Sequence, residues 1–504
     1  MKGFSMSRAL LLTASIAVAT ALVRPAGAEV SAMQVWESWK RLAESGGQAE
    51  ITGTVTATGE KVTVTDLVMT MVAPEAEITG RLDEIVFRER PDGTVLVTMS
   101  PRYDVAIETR EGGATSRMRL AVEQEGLVIV ASGDAEEVAY DYTAVAMRVS
   151  TEEVAVGDEP VDMDLSAVIP DVKGSYRIGM AEPTPIAGDF SAGGLDLKVR
   201  AVDPEVEGRL DVALSLQNVD SRFAGTLMPV DPENLAAALR AGFAVDMTLA
   251  HGPASYVSDF ADREDAFTLR AEQSSGGLEF ALSERGMRYR ATSSDAQFRL
   301  SGNDIPLPEV AFSIGRLVTA VGMPILASET PQDLDMELRL EELALSDMIW
   351  SVIDPAGQLP HDPATVVVDV DGKANWAFDI MDPEAAEKME GKVPGELHSL
   401  DLNELRVVAA GAELTGTGGF TFDNADLTTF GGVPRPTGAV DLVLRGGNAL
   451  LDRLVAMGIL PQDQAMGVRM MSAMFARPSG EDELSSRIEI TKDGAVYANG
   501  QRLR

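Results

Sequence analysis

The alternation of apolar and polar residues predicts a mainly β protein, made of large, curved, mostly antiparallel sheets with several packing helices. Three observations carry this. Apolar side chains recur at every second position in short runs: Val55 and Ala57 then Val62 and Val64, Thr94 to Thr98, Val161 to Leu165, Leu195 to Val199, Val212 to Leu216, Met336 to Leu340 and Val366 to Val370. Each run closes on Gly, Asp, Asn or Pro, which supply the backbone geometries of turns. Helical spacing is confined to a few segments. Successive strand side chains point to opposite faces, so such runs describe strands with one face inward and one in water.

The elements follow in order. Gly59-Glu60 turns the first hairpin. Ser31 and Gln34 form a capping box ahead of Val35, Trp36, Trp39 and Leu42, and Gly46-Gly47 would end that helix. Its tryptophan stripe is expected to pack on a sheet. Asp231-Pro232 opens a second helix over Leu235, Ala238 and Leu239. A third helix is expected over Ser346 to Ile353, and two more over Asn448 to Met457 and Gln462 to Phe475, parted by Gly458 and Pro461. The chain closes with Ile488 and Ile490, a turn at Lys492-Asp493-Gly494, then Val496, Ala498 and Asn499-Gly500, which is a hairpin followed by a second turn.

No low-complexity linker divides the 504 residues. One core does not grow much beyond about 300 residues, so residues 29–504 are expected to form one elongated β-rich region, sub-divided near 170 and 330. Internal repetition is suggested by Leu120, Glu123-Gln124, Gly126-Leu127, Ser132, Tyr140 and Arg148-Val149-Ser150. These recur in order as Leu269, Glu272-Gln273, Gly277-Leu278, Ser283, Tyr289 and Arg299-Leu300-Ser301, with drifting spacing.

The N-terminus has the order of a secretory signal peptide over residues 1–28. Lys2 and Arg8 precede an apolar run from Ala9 to Val23, and Ala26-Gly27-Ala28 is a small-x-small site, so cleavage is expected between Ala28 and Glu29. The run is short for a bilayer span of about 20 residues. The best later candidate, Leu317 to Ser328, is broken by Gly322 and Pro324, so no transmembrane anchor is expected after cleavage. This implies export to the periplasm. There is no cysteine, so disulfides, thiolate metal sites and an acylated lipoprotein anchor are excluded.

The formal charge is −37, and removal of the three basic residues of the signal segment leaves about −40. Such a surface repels phosphate backbones and anionic membranes, so nucleic acid is not an expected partner. The acids are dispersed among strand-like runs, as on a folded surface.

Reactive chemistry is sparse. His251, His361 and His398 show no metal-ligand spacing and read as surface or turn histidines. Gly188 to Gly193 has one residue too many before Ser191 for a serine nucleophile elbow and reads as a strand. Gly416-Thr417-Gly418-Gly419 lacks the lysine and the helix of a phosphate loop and reads as a strand with close backbone approach. Asp369-Val370-Asp371-Gly372 lacks the later ligands of a calcium loop and reads as a turn. No catalytic, cofactor or metal site is assigned. Met466, Met470, Met471, Met474 and Phe475 share one helical face. The ordinary reading is a helix packed on the sheet. The alternative is a face for an apolar ligand, because methionine adapts to irregular apolar shapes.

Val35-Trp36, Trp39-Lys40, Ser346-Asp347, Ile349-Trp350 and above all Asp354-Pro355-Ala356-Gly357-Gln358-Leu359-Pro360, with Asp362-Pro363-Ala364-Thr365, resemble the uncharacterised Gram-negative family called domain of unknown function 2125, over nearly the whole chain after residue 28. The family label implies no activity, and His361 stands where it leads one to expect arginine. The C-terminal third is also similar to AsmA-like envelope proteins, through Ala412 to Phe422, Leu450, Leu451, Leu454 and Asn499-Gly500. That similarity implies long curved sheets, apolar grooves and envelope lipid handling. The resulting expectation is a non-catalytic periplasmic protein that binds lipid or another apolar ligand or supports envelope maintenance. The alternatives are a periplasmic hydrolase with a carboxylate site and a purely structural or interaction domain.

Overall fold

The computed structural model describes residues 30–44, 49–73, 75–111, 114–134, 136–203, 207–231, 234–382 and 395–504. The expected signal segment and its Ala28/Glu29 cleavage site lie outside these residues, as do Gly46-Gly47 and Pro232. The fold is mainly β, with long antiparallel strands and, among the described residues, five helices: α1 (Ala32–Glu44), α2 (Leu235–Arg240), α3 (Asp347–Ile353), α4 (Gly447–Ala456) and α5 (Gln462–Phe475). The chain packs as two compact units. The first holds residues up to Val230 with Gly242–Glu264, and the second holds Asp231–Ala241 with Asp265–Arg504.

In the first unit α1 covers part of the sheet. The expected capping box forms, since Ser31 Oγ accepts from the Gln34 amide at 3.2 Å and Gln34 Oε1 from the Ser31 amide at 2.8 Å. Trp36 is buried, and both tryptophans lie against Phe87, with Trp39 edge-on at 5.5 Å between ring centroids. Tyr140 stacks on Tyr176 at 4.4 Å beneath them. The aromatic stripe therefore packs as expected, and Val64, Val95, Val97 and Val138 complete a dry core.

Several long strands carry one left-handed, non-glycine residue in mid-strand: Asp66, Asp171, Asn218, Asp295 and Glu342. Asp and Asn tolerate that conformation best. At Asp66 and at Glu342 the pairing with one neighbouring strand shifts by one residue, as at a β-bulge. In Asp162–Gly179 the inward positions before Asp171 are Met163, Leu165 and Ala167, and after it Val172, Tyr176 and Ile178. The phase of the buried side chains thus switches at left-handed Asp171, while the register with both neighbouring strands is unbroken.

The second unit contains the consecutive antiparallel strands Gly286–Gly302, Val310–Met323, Gln332–Leu345, Ala364–Trp376, Gly395–Ala409, Ala412–Asp423, Arg435–Arg445 and Glu483–Ile490. The stretch around Leu317 to Met323 is strand, and no described helix is long and apolar enough to cross a membrane. The turn expected at Asp371-Gly372 is replaced by unbroken strand to Trp376. The Asn403 amide donates to Asp369 (3.2 Å) and Asp371 (2.5 Å), and a Cβ on Gly372 would collide with the Ser399 carbonyl. That glycine serves close strand approach rather than a turn. Gly188 to Gly193 and Gly416 to Gly419 are likewise strand. The closing hairpin pairs Ile488 with Ala498 and Ile490 with Val496.

The two copies of the suspected repeat have the same pairing scheme. Ala114–Glu125 and Val128–Gly133 both pair with the long strand Glu137–Val156, and Ala266–Gln273 and Ser275–Ser283 both pair with Gly286–Gly302. Val149 faces Val122 in the first, and Leu300 faces Leu269 in the second, so the copies differ by two residues in register.

Candidate functional site

Strand pairing in the second unit aligns apolar residues from strand to strand. One row runs Val321, Met336, Val370, Leu402, Gly418, Val440 and Ile488, each directly opposite the next. A parallel row, four residues along, runs Leu317, Leu340, Val366, Val407, Leu414, Leu444 and Leu484. Leu338, Val368, Leu405 and Leu442 lie between them. The bulge at Asn403 keeps Leu402 and Leu405 on one face, where a simple period of two would have sent them to opposite sides.

The reverse face is charged. Arg339 donates to Glu337, Glu341 and Glu404, and Arg290 pairs with Glu337. This network holds the Glu337 carboxyl below its usual range: burial pushes it up, but the two arginines outweigh that. Val367 lies fully buried between Arg339 and Arg406, its cross-strand neighbours. The apolar stems of long charged side chains can cover it.

None of the row residues is fully buried, and Met336 and Leu338 remain 43% and 39% exposed. A sheet face of this composition normally meets a helix layer or a second sheet. The first unit shows what that looks like, with α1 over Phe87 and Tyr140.

At one end of the second unit's sheet lie α3, between Gln332–Leu345 and Ala364–Trp376, and α4 with α5, between Arg435–Arg445 and Glu483–Ile490. Asp482 caps α4 from across the chain: its carboxylate accepts from the amides of Asn448 (3.0 Å) and Ala449 (2.9 Å). Burial would raise its pKa, but those amides and the charge of Arg469 hold it low. Arg469 fastens α5 to α4 by donating to Asn448 Oδ1 (3.1 Å) and Asp452 (2.6 Å).

The inner side of α5 therefore presents Ala465, Arg469 and Ser472, and Ala465 is its one buried residue. Met466, Met470, Met471 and Met474 face outward and are 62%, 69%, 60% and 61% exposed. The ordinary expectation that this stripe packs on the sheet is overturned. Small residues and a hydrogen-bonded arginine allow close approach to α4, and the bulky side chains go to the other side.

The histidines do not converge. His361 stacks on Trp350 at 4.1 Å and lies 3.6 Å from the Asp354 carboxylate, His398 is bonded to Asn375 at 2.6 Å, and His251 contacts the Gly252 carbonyl at 2.8 Å. Among the described residues no group of three or more His, Cys, Asp or Glu is placed to hold a metal ion. The Asp354 carboxylate is shut off from solvent and held below its usual range, first by the Leu359 and Gln358 amides. It organises the loop after α3. In the first unit Asp141 is raised by burial and by the charge of Asp189, whose carboxylate accepts from Ser175 Oγ at 3.3 Å. An open cleft in the second unit is lined by Ser328, Asn375, Trp376, Glu396, Asn424 and Leu427. Asn375 and Asn424 are already spent on backbone carbonyls of Ser328 and Leu397.

Fold and site together define an antiparallel β protein with an amphipathic sheet whose apolar face is only half covered. A model of uncharacterised proteins conserved in bacteria, DUF2125, matches residues 249–503, and the chain belongs to that family. The match holds the Asp354 to Thr365 segment and the apolar rows, and leaves Trp36 and Trp39 outside, so it is shorter than the resemblance read from the sequence. No curated protein and no solved structure matches the chain, and no comparison returns an AsmA-like relative.

Proposed function

We propose that the chain is an exported, non-catalytic periplasmic protein that holds lipid acyl chains, or ligands of that kind, against the apolar face of the second unit. The observation that carries the reading is the set of half-exposed cross-strand rows from Val321 to Ile488. Each buried CH₂ contributes about 0.8 kcal/mol, so a partly covered acyl chain lying across several strands gains useful affinity. Neighbouring rows offer parallel tracks with no charged side chain to fix a headgroup or define a chain length, only Thr319 and Ser486 between them being polar, which favours a class of ligands over one compound. The N-terminal order of charge, apolar run and small residues supports export.

The test is detergent-free purification from the native envelope, organic extraction and mass spectrometry. The reading expects near-stoichiometric phospholipid or fatty acid, lost when Met336 and Leu338 are both changed to Asp. Background lipid in the wild type would reject it.

A further inference from the structure

We infer that the helical end of the second unit formed by α4 and α5 docks on the surface of a zwitterionic phospholipid bilayer. The inference rests on the lipid-holding reading and names where ligand would enter.

The first argument is exposure. α5 is anchored through Ala465 and Arg469, and Met466, Met470, Met471 and Met474 project from its other side. Ile459, in the turn between α4 and α5, is also largely exposed. Neighbouring exposed apolar residues of this size mark an interaction surface. They come from separate elements, and methionine has no fixed shape, so the surface suits a fluid partner better than a rigid protein groove.

Charge selects among partners. The stretch from Gly447 to Phe475 holds two acids, Asp452 and Asp463, and two bases, Arg453 and Arg469, and is neutral in a chain of −37. Arg469 is spent on Asp452, and Arg453 donates to the Ala410 carbonyl. A second copy would bring another −37 close, and an anionic membrane would repel the molecule in the same way. A zwitterionic bilayer exacts neither cost, and the neutral tip can enter its interface by apolar insertion alone.

Position supplies the third argument. Of the row nearest the helices, Leu444 lies just before α4, with Arg445 and Gly446 between, and Leu484 just after its capping residue Asp482, with Glu483 between. A Cβ on Gly447, the first residue of α4, would press on the Leu444 side chain. The Ser486 hydroxyl, on the same face as Leu442, donates to the Phe475 carbonyl at the end of α5. A docked tip therefore places the end of the apolar rows at the bilayer surface, and an acyl chain could pass between bilayer and sheet without crossing water.

The experiment is flotation of the chain lacking residues 1–28 with phosphatidylcholine vesicles. The expected result is co-flotation that falls roughly ten-fold or more in Met470→Asp/Met474→Asp, with unchanged melting. Added phosphatidylglycerol should weaken it, and Glu404→Gln, on the reverse face, should float as wild type. Should the double aspartate variant melt early, Met470→Gln/Met474→Gln replaces it with the same expected direction. Wild type that stays below the vesicles overturns the inference, as does a folded variant that floats normally. A wild-type dimer that the variant abolishes assigns the surface to a second copy and overturns it too. Wild type that fails to float yet carries stoichiometric lipid leaves the lipid-holding reading standing.

Discussion

Arg469 reaches the Asp452 carboxylate at 2.6 Å, and this pair, with the Asn448 contacts of the same guanidinium, decides which side of α5 faces the protein. The pair is partly exposed, and such ion pairs contribute little by themselves, about 0–1 kcal/mol. Its role is orientation. Arg469→Ala should leave overall stability within about 1 kcal/mol of wild type but loosen α5. Hydrogen exchange should rise in Gln462–Phe475 and stay unchanged in Ala364–Trp376. Equal protection of α5 in the variant would show that Ala465 alone holds the helix.

Asp482 should matter more to α4. Replacement by Ala removes both carboxylate bonds to the first turn and should cost about 1 kcal/mol, read as a lower urea midpoint.

Acid stability of the Asp423 to Arg435 loop should depend on Asp426. The Thr429 hydroxyl and amide, then those of Thr428, hold its pKa at about 2. A depressed carboxyl stabilises the fold fully above the unfolded value, near 3.8, and that contribution is lost as pH falls through about 2. Asp426→Asn should therefore lower the melting temperature at neutral pH and flatten its decline over that acid window. A decline as steep as wild type would assign acid sensitivity to other carboxylates.

In the first unit Trp36→Ala should cost roughly 3–5 kcal/mol, because Trp36 fills a dry space against Phe87 under α1. Denaturant unfolding followed by a probe in that unit checks this. A loss below about 1 kcal/mol would mean that α1 is peripheral to the core.

The proposed export gives another measurable outcome. Protein recovered from the envelope should begin at Glu29. Ala28→Phe should block processing, because signal cleavage demands a small residue there. N-terminal sequencing that finds Met1 on the exported protein would contradict this.

Many of the strands, the tryptophan helix and the segment Gln462–Phe475 were legible because period 2 and period 3.6 leave different marks on a sequence. The mid-strand insertions at Asp66 and Asn403 were not, because they exist only relative to a partner strand. Asp371-Gly372 misled for a related reason. A glycine chosen for close approach of Ser399 looks the same in one chain as a glycine chosen for a turn. The four methionines were visible as a face, but a stripe pattern does not say which side of a helix docks. That choice was made by Ala465, Arg469 and the distant Asn448 and Asp452. The apolar rows were present in every alternating run, and only the register brought Val321, Met336, Val370 and Leu402 into line.

The most direct test of the central claim is photocrosslinking of a diazirine fatty acid to the purified chain, with adducts mapped by mass spectrometry. The account predicts adducts on Val321, Met336, Leu338, Val370 and Leu402, competed away by unlabelled fatty acid and absent from the reverse face around Arg339 and Glu404. Adducts scattered over both faces, or gathered in the cleft at Trp376, would contradict it.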